Sequence, residues 1–144
     1  MPSENIQQYW RVIDANFNRA KEGLRVCEDI CRFILNDEVL TQGFKTIRHG
    51  LSDVLFDWSP QQCWQARDVS GDVGQQSSAL EFRRETLADV GYANVQRAKE
   101  SIRVLEEFAK LETAERAVEF KNLRYALYNL EKELVKKIPA VSGT

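Results

Sequence analysis

The chain has 144 residues, 43% of them hydrophobic and 29% charged, with a formal net charge of −2. This length is enough to bury one hydrophobic core, and the composition excludes a disordered or membranous chain. No apolar run approaches the roughly 20 residues that cross a bilayer, and the slightly acidic balance argues against nucleic acid as a partner. We expect one soluble domain over residues 1–144 that has no membrane partner. A cytoplasmic location is expected because the N-terminus carries no signal-peptide pattern.

Two long helices are predicted in the first half of the chain. Apolar residues recur every three or four positions over about 6–35 and again over about 38–56. Asn36 and Asp37 interrupt this pattern, and either side chain can cap the second helix. Pro60 then begins a short helical turn, since proline suits the first position of a helix.

The next stretch lacks helical periodicity and is predicted to be a connecting loop over 66–78. A third helix is predicted over about 79–111, because Ser78 and Glu81 have the spacing of a capping box. A fourth helix follows, with Thr113 as its cap and a proline at its end.

The second half of the chain repeats the first. The segment ANFNRAKEGLRVCE at 15–28 returns as ANVQRAKESIRVLE at 93–106, and FKTIR at 44–48 returns as FKNLR at 120–124. The offset is slightly shorter for the second segment, and a turn between the matched segments can absorb that difference. The repeat predicts an all-α helical bundle of two duplicated helical hairpins, about 6–56 and 79–138, related by pseudo-twofold symmetry.

Polar residues interrupt the apolar face of the first helix. On a helical wheel, at about 100° per residue, Asn16 and Arg19 lie inside that face and Glu22 lies beside it. An unpaired amide or guanidinium there would cost several kcal/mol. These residues must therefore satisfy one another in a buried network that fixes the register of the hairpins, face a cavity, or hold a ligand. The repeat transfers the same argument to Asn94, Arg97 and Glu100.

Other charged residues recur in both halves. Those of the first helix that lie away from its apolar face are predicted to form a solvated face, as are their copies in the third helix. Because they recur, Arg25 and Arg103 are also secondary candidates for the site. Basic residues that interrupt the apolar periods of the second and fourth helices fit either an anionic ligand or ordinary snorkelling to the surface. The predicted solvated residues are Lys21, Arg25, Glu28, Lys99, Arg103 and Glu106, and the interrupting basic residues are Lys45, Arg48, Lys121 and Arg124.

The connecting loop contains the sequence RDVSGDVG at 67–74. Its glycines favour a backbone whose N–H groups point outward together, which suits phosphate oxygens, and its aspartates suit Mg²⁺. An ordinary solvated connection has the same composition. The motif is not a Walker A loop.

Several motifs together resemble a known family. Residues 12–29, the loop sequence ARDVSGDVG at 66–74, RAKESIRVLEE at 97–107 and FKNLRY at 120–125 match, in order, a helical domain of bacterial thiamine biosynthesis. That domain occurs alone or fused in front of thiamine-phosphate synthase (thiamine-phosphate pyrophosphorylase). The resemblance implies a noncanonical kinase that phosphorylates hydroxymethylpyrimidine phosphate to the diphosphate and does not act on the unphosphorylated alcohol.

The resemblance implies phosphoryl transfer from ATP with Mg²⁺, in which positioning and charge neutralisation do most of the catalysis. Under this hypothesis the arginines bind phosphate, the asparagines read the aminopyrimidine edge, and the acidic residues hold the metal or orient the attacking oxygen. The candidate catalytic residues are Glu22, Glu100 and Asp72. The candidate metal ligands are Asp68 and Asp72. The candidate substrate- and phosphate-binding residues are Asn16, Arg19, Asn94, Arg97, Arg67, Gly71, Lys121 and Arg124.

The alternative function is a noncatalytic module that binds or docks thiamine-phosphate synthase. The resemblance leaves a partnership with that synthase, and a homo-oligomer, open. If the chain is a kinase, we expect one asymmetric site, because the loop joins the two hairpins and can complete only one of two half-sites. Both copies of the motif are expected to share this cleft, which Asp68 and Asp72 would close. Its other members would be Asn16, Arg19, Glu22, Asn94, Arg97 and Glu100.

Overall fold

The computed structural model describes residues 5–76 and 82–138, and within them it shows helices and no strand. The all-α prediction is confirmed. A π-helical turn, Ile30–Ile34, continues the first helix. Within the described ranges, no helix is long and apolar enough to cross a membrane. The helices are α1 (Ile6–Asp29), α2 (Glu38–Trp58), α3 (Pro60–Ala66), α4 (Leu87–Ala109) and α5 (Ala114–Lys137).

Capping residues set most helix boundaries. Asn36 adopts a left-handed backbone conformation with φ of 50°, and Asp37 accepts a hydrogen bond from the Leu40 N–H at 2.9 Å to begin α2. Thr113 caps α5 in the same way, by accepting from the Arg116 N–H at 3.2 Å. The two predicted caps are therefore confirmed, with the choice between Asn36 and Asp37 resolved by backbone conformation.

The start of α4 differs from the prediction. The proposed capping box at 78–81 lies outside the described residues, but residues 82–86 are not α-helical, so a continuous helix from residue 79 is wrong there. Thr86 and Asp89 form the capping box instead, because each side chain accepts from the other residue's backbone N–H. This box fixes the start of α4 at Leu87.

The core lies where the two hairpins meet. The most extensive helix contact joins α1 to α4, while α2 packs on α1, α5 packs on α4, and α2 also meets α5. Fully buried side chains occupy repeat-equivalent positions, as shown by Leu24 and Ile102 and by Phe44 and Phe120. This arrangement is what a twofold axis between the hairpins would produce. The axis itself stays a prediction.

Gly23 permits the close approach of α1 and α4. A Cβ atom built on Gly23 would lie 2.7 Å from the backbone oxygen of Asn94. Ser101, the equivalent small residue on α4, is also buried. The small residues therefore serve helix contact.

Each hairpin buries one glutamate between two arginines. In the first Glu–Arg cluster, Arg48 donates from Nε to Glu28 Oε1 at 2.8 Å and Arg25 donates from Nη1 to Glu28 Oε2 at 3.2 Å. Glu28 is only 2% exposed. The second Glu–Arg cluster has the same geometry, with the corresponding distances at 2.9 Å and 3.1 Å. Its members are Glu106, Arg124 and Arg103.

The clusters correct part of the sequence analysis. Glu28 and Glu106 were predicted to lie on a solvated face, but both are buried, while Arg25 and Arg103 remain about half exposed. A buried carboxylate needs a partner, and the basic residues of α2 and α5 supply it. Arg48 thus interrupts the apolar period of its helix to reach Glu28.

We predict that Gly23→Ala destabilises the protein by about 1–3 kcal/mol, because the new methyl group would collide with the α4 backbone. Gly50→Ala is the matched control, since its Cβ would meet only the end of the Leu123 side chain, at 3.0 Å. Urea denaturation gives both free energies of unfolding. An equal effect of the two substitutions would contradict close packing at Gly23.

The first Glu–Arg cluster predicts acid sensitivity. Burial alone would raise the pKa of the Glu28 carboxyl, but the hydrogen bond and charge of Arg48, with the charge of Arg25, hold that pKa below its ordinary value of 4.5. The stabilisation is therefore complete above pH 4.5 and is lost as pH falls through the lower folded-state pKa.

We predict that Glu28→Gln lowers the free energy of unfolding at pH 7 by about 3 kcal/mol or more, since it leaves Arg48 facing a neutral partner. The difference from the wild type should shrink below pH 4.5. Glu119→Gln, at an exposed position, is the control and should change little. A deficit for Glu28→Gln that stays constant with pH would refute this account.

Candidate functional site

An open cleft of about 700 Å³ lies between one face of α1 and the loop that follows α3. The described part of the connecting loop comprises residues 67–76. The α1 positions follow a spacing of three and four, so they form one stripe of the helix. The cleft is lined by Gln8, Arg11, Val12, Asp14, Ala15, Asn18, Arg19 and Glu22 from α1, and by Arg67, Asp68, Val69 and Asp72 from the loop.

The cleft is long and mixed in character. At 1.5 Å per residue, the stripe from Gln8 to Glu22 extends about 21 Å along α1. Val12 and Ala15 give it an apolar floor, and charged side chains surround that floor. Such a site can hold an extended, partly planar, charged small molecule.

An ion pair between the buried Asp14 and the partly exposed Arg67 attaches the connecting loop to α1. Arg67 donates from Nε to Asp14 Oδ2 at 2.8 Å and from Nη2 to Asp14 Oδ1 at 2.6 Å. Asn18 also donates from Nδ2 to Asp14 Oδ1, at 3.2 Å. The Asp14 side chain is 7% exposed. The hydrogen bond that Arg67 donates to Asp14 raises the pKa of Arg67 above its ordinary value. Arg67, proposed as a phosphate ligand, is thus already bound.

A thiol lies near this pair. Cys63 is buried, and its burial, with the charge of Asp14, raises its pKa to about 12. It is a neutral thiol at physiological pH and therefore a poor nucleophile.

The loop satisfies two of its own N–H groups. Asp68 Oδ1 accepts from the Gly71 N–H, and Asp72 Oδ1 accepts from the Gly74 N–H, both at 2.8 Å. A Cβ on residue 71 would lie against Asp68 Oδ2, the end of an exposed side chain, so a larger residue there would displace that carboxylate. These two N–H groups point into the loop, and not outward together as the sequence suggested. One oxygen of each aspartate remains without a described partner.

Two charged residues of α1 remain free to meet a ligand. Arg19 and Glu22 are exposed in the cleft and form no ion pair or side-chain hydrogen bond with any residue that the structure describes. Arg11 makes a single 3.4 Å hydrogen bond to the Asp68 backbone oxygen. Free cations beside free carboxylates can bind a phosphate and a divalent cation together.

The asparagines proposed to recognise the pyrimidine ring form hydrogen bonds within their own helices. Asn16 is buried and donates to the Val12 backbone oxygen at 2.9 Å, and Asn94 donates to Val90 O at 2.8 Å. Each bond links a residue to the one four positions earlier, so it satisfies the amide within its own helix. Neither residue lines the cleft.

The second copy of the motif lies outside the cleft. Arg97 is exposed, and Glu100 accepts a hydrogen bond from Gln96 at 3.0 Å. Arg124 donates to Glu106 and also to the Tyr128 hydroxyl at 2.7 Å. Lys121 lies over the Tyr125 ring. The structure therefore gathers Arg19, Glu22, Arg67, Asp68 and Asp72 without their second-copy counterparts.

Several cleft residues were not among the candidates from the sequence, although their helical spacing from Arg19 could have indicated them. Continuing the Arg19 stripe back along α1 in steps of three and four leads to the missed positions. Asp14 lies at the edge of that stripe and gives no periodic signal, because its partner is 53 residues away. The missed residues are Gln8, Arg11, Asp14 and Asn18.

Comparison with known proteins assigns a family. The ThiD2 family model matches residues 11–133, which is most of the chain. The chain belongs to the ThiD2 family. No solved structure matches it.

The ThiD2 match agrees with the relatives found. The chain is 40% identical over 134 residues to thiamine-phosphate synthase of Rhodopirellula baltica, covering 92% of this chain and 36% of that protein. It is 39% identical over 134 residues to thiamine-phosphate synthase of Nostoc punctiforme, covering 92% and 37%. The chain thus spans about a third of the length of these relatives. This ThiD2 domain is therefore connected to thiamine biosynthesis.

Proposed function

We propose that this chain phosphorylates hydroxymethylpyrimidine phosphate to the diphosphate, with ATP as donor and Mg²⁺ as cofactor, in the α1 cleft. The observation that carries the proposal is the juxtaposition of the unpaired Arg19 and Glu22 with Asp68 and Asp72 in one cleft. Family membership and the thiamine-phosphate synthase relatives support the substrate class.

Arg19 and Arg11 are the proposed phosphate ligands. Both are cleft arginines without a carboxylate partner among the described residues, and a guanidinium matches phosphate oxygens in geometry and charge. They are eight positions apart, or about 12 Å along the helix. That separation suits a substrate phosphate and a donor phosphate chain at different places in one cleft.

The pyrimidine ring is proposed to lie on Val12 and Ala15. Gln8 has its amide donor and acceptor free of described partners, and Asn18 has a free acceptor oxygen. An aminopyrimidine presents donor and acceptor atoms side by side, which such amides recognise. These two residues replace Asn16 and Asn94 in the proposed reading of the ring.

Asp68, Asp72 and Glu22 are the proposed metal ligands. No group of three or more histidine, cysteine or acidic residues is close enough to form a complete metal cage in the part of the chain described. Mg²⁺ nonetheless commonly uses one or two carboxylates together with substrate phosphates and water, so these residues fit it. When bound, the ion would neutralise charge on the transferred phosphoryl group.

The proposed reaction is a direct transfer. An oxygen of the pyrimidine's phosphate attacks the terminal phosphorus of ATP, the bond to the ADP oxygen breaks, and a diphosphate forms. The attacking phosphate oxygen is already ionised at neutral pH, so no strong base is required. Arg19 would hold the attacking phosphate in line, and Glu22 would act as a metal ligand beside it.

A second candidate function is a noncatalytic module of thiamine-phosphate synthase. The relatives of that name are almost three times as long as the matched segment, so this segment is joined to a larger region in each. Such a module would bind or dock the synthase and need no phosphate donor.

We predict that the purified chain, given hydroxymethylpyrimidine phosphate, ATP and Mg²⁺, forms the pyrimidine diphosphate and an equal amount of ADP. ³¹P NMR resolves both products. The unphosphorylated alcohol serves as the control substrate and should yield none. Absence of diphosphate from folded protein, together with direct binding to thiamine-phosphate synthase, would favour the module.

We predict that Arg19→Ala weakens binding of the pyrimidine phosphate by about 10- to 150-fold, as expected for loss of a charged hydrogen bond of about 1.5–3 kcal/mol. Arg97→Ala is the matched control, because it removes the same side chain from the repeat-equivalent position outside the cleft. Isothermal titration calorimetry gives both affinities.

The two arginine variants also test the sequence-based expectation that both copies share one cleft. Equal losses for Arg19→Ala and Arg97→Ala would support the shared cleft and overturn the assignment to α1. Unchanged affinity with a lower melting temperature for Arg19→Ala would assign that residue a structural role.

A further inference from the structure

The connecting loop has little to hold it except the Asp14–Arg67 pair. Every residue of 67–76 is exposed, so the loop contributes no buried side chain to the core. Its internal hydrogen bonds, from Gly71 and Gly74 to the two aspartates, shape the loop but do not attach it to α1. Among the described residues, only Arg67 and the weak Arg11 bond to Asp68 O tie it to the helix.

The repeat does not reproduce this pair. The repeat-equivalent of Asp14 is Tyr92, which has no carboxylate and is 41% exposed. The α4 stripe therefore repeats Arg19 and Glu22 as Arg97 and Glu100, but it has no acidic group at the position of Asp14.

We infer that Asp14 is a positioning residue, which acts through Arg67 to hold Asp68 and Asp72 against the α1 stripe. The pair is bidentate and nearly fully shielded on the Asp14 side, so it fixes the direction in which the chain leaves α3. The inference rests on the proposed function in that the held carboxylates are its metal ligands. The attachment itself is independent of any activity.

The test measures loop attachment and kinetics separately. Trypsin cleaves after Arg67 only when its side chain leaves Asp14, so the initial rate of that cleavage reports attachment. Asp14→Asn removes the charge, and Arg67→Lys keeps both the charge and the cleavage site but loses the bidentate geometry. Cleavage after Arg124, which is buried within α5 and reached only on unfolding, is the reference in the same digest. Asp57→Asn, which breaks an exposed pair with Arg116, is the control variant.

We expect cleavage after Arg67 to rise about tenfold or more in both variants, relative to the reference, and to stay constant in Asp57→Asn. In the kinase assay Asp14→Asn should lower kcat about tenfold or more and change KM for the pyrimidine phosphate by less than about threefold. The reason is that the substrate-binding side chains lie on α1, whereas the displaced carboxylates act on the transferred group.

Each outcome decides one part of the inference. Unchanged cleavage in both variants would overturn the attachment, whatever the activity. Increased cleavage in variants of an inactive wild type would support the attachment and overturn the proposed function. Increased cleavage with unchanged kcat would overturn the positioning role, and an equal rise at the reference site would mean general unfolding and overturn a local effect.

Discussion

The fold depends on the burial of two carboxylates. Glu28 and Glu106 are buried near the junctions of their hairpins. The free-energy cost of that burial is offset only while an arginine of the neighbouring helix lies within hydrogen-bond distance. Hydrophobic packing tolerates small shifts of one helix along another. A bidentate ion pair does not, so the two Glu–Arg clusters hold α2 in register with α1 and α5 in register with α4.

The orientation of α1 follows from these contacts. One side of the helix packs on α4 through the close contact at Gly23, and another faces α2, so the remaining stripe is left for the connecting loop. The ligand-like residues Arg19 and Glu22 lie on this stripe, and the core takes the residues beside it. Both copies of the motif thus use one face for helix packing. In the first copy, a second face also lines the cleft beneath the connecting loop.

The unpaired charges in the α1 cleft bear on the choice between a kinase and a docking module. A module that only docks a synthase has no need for unpaired charges of both signs in one cleft, whereas phosphoryl transfer needs cations for phosphate and carboxylates for a metal. In the relatives, the matched segment is joined to a larger region.

The sequence by itself determined the all-α class, a cap at Asn36 or Asp37, the cap at Thr113, and the duplication, because these depend on local spacing and hydrogen bonding that a chain segment carries with it. It also placed Arg19, Glu22, Asp68 and Asp72 in one set. The tertiary structure decided which polar residues are buried, since Glu28 and Asp14 are satisfied by arginines 20 and 53 residues away, a distance that no periodic pattern encodes. It also decided that the second copy lies outside the cleft. A repeat predicts equal helices, but it does not predict the ion pair of Asp14 with Arg67, because the repeat-equivalent of Asp14 is Tyr92.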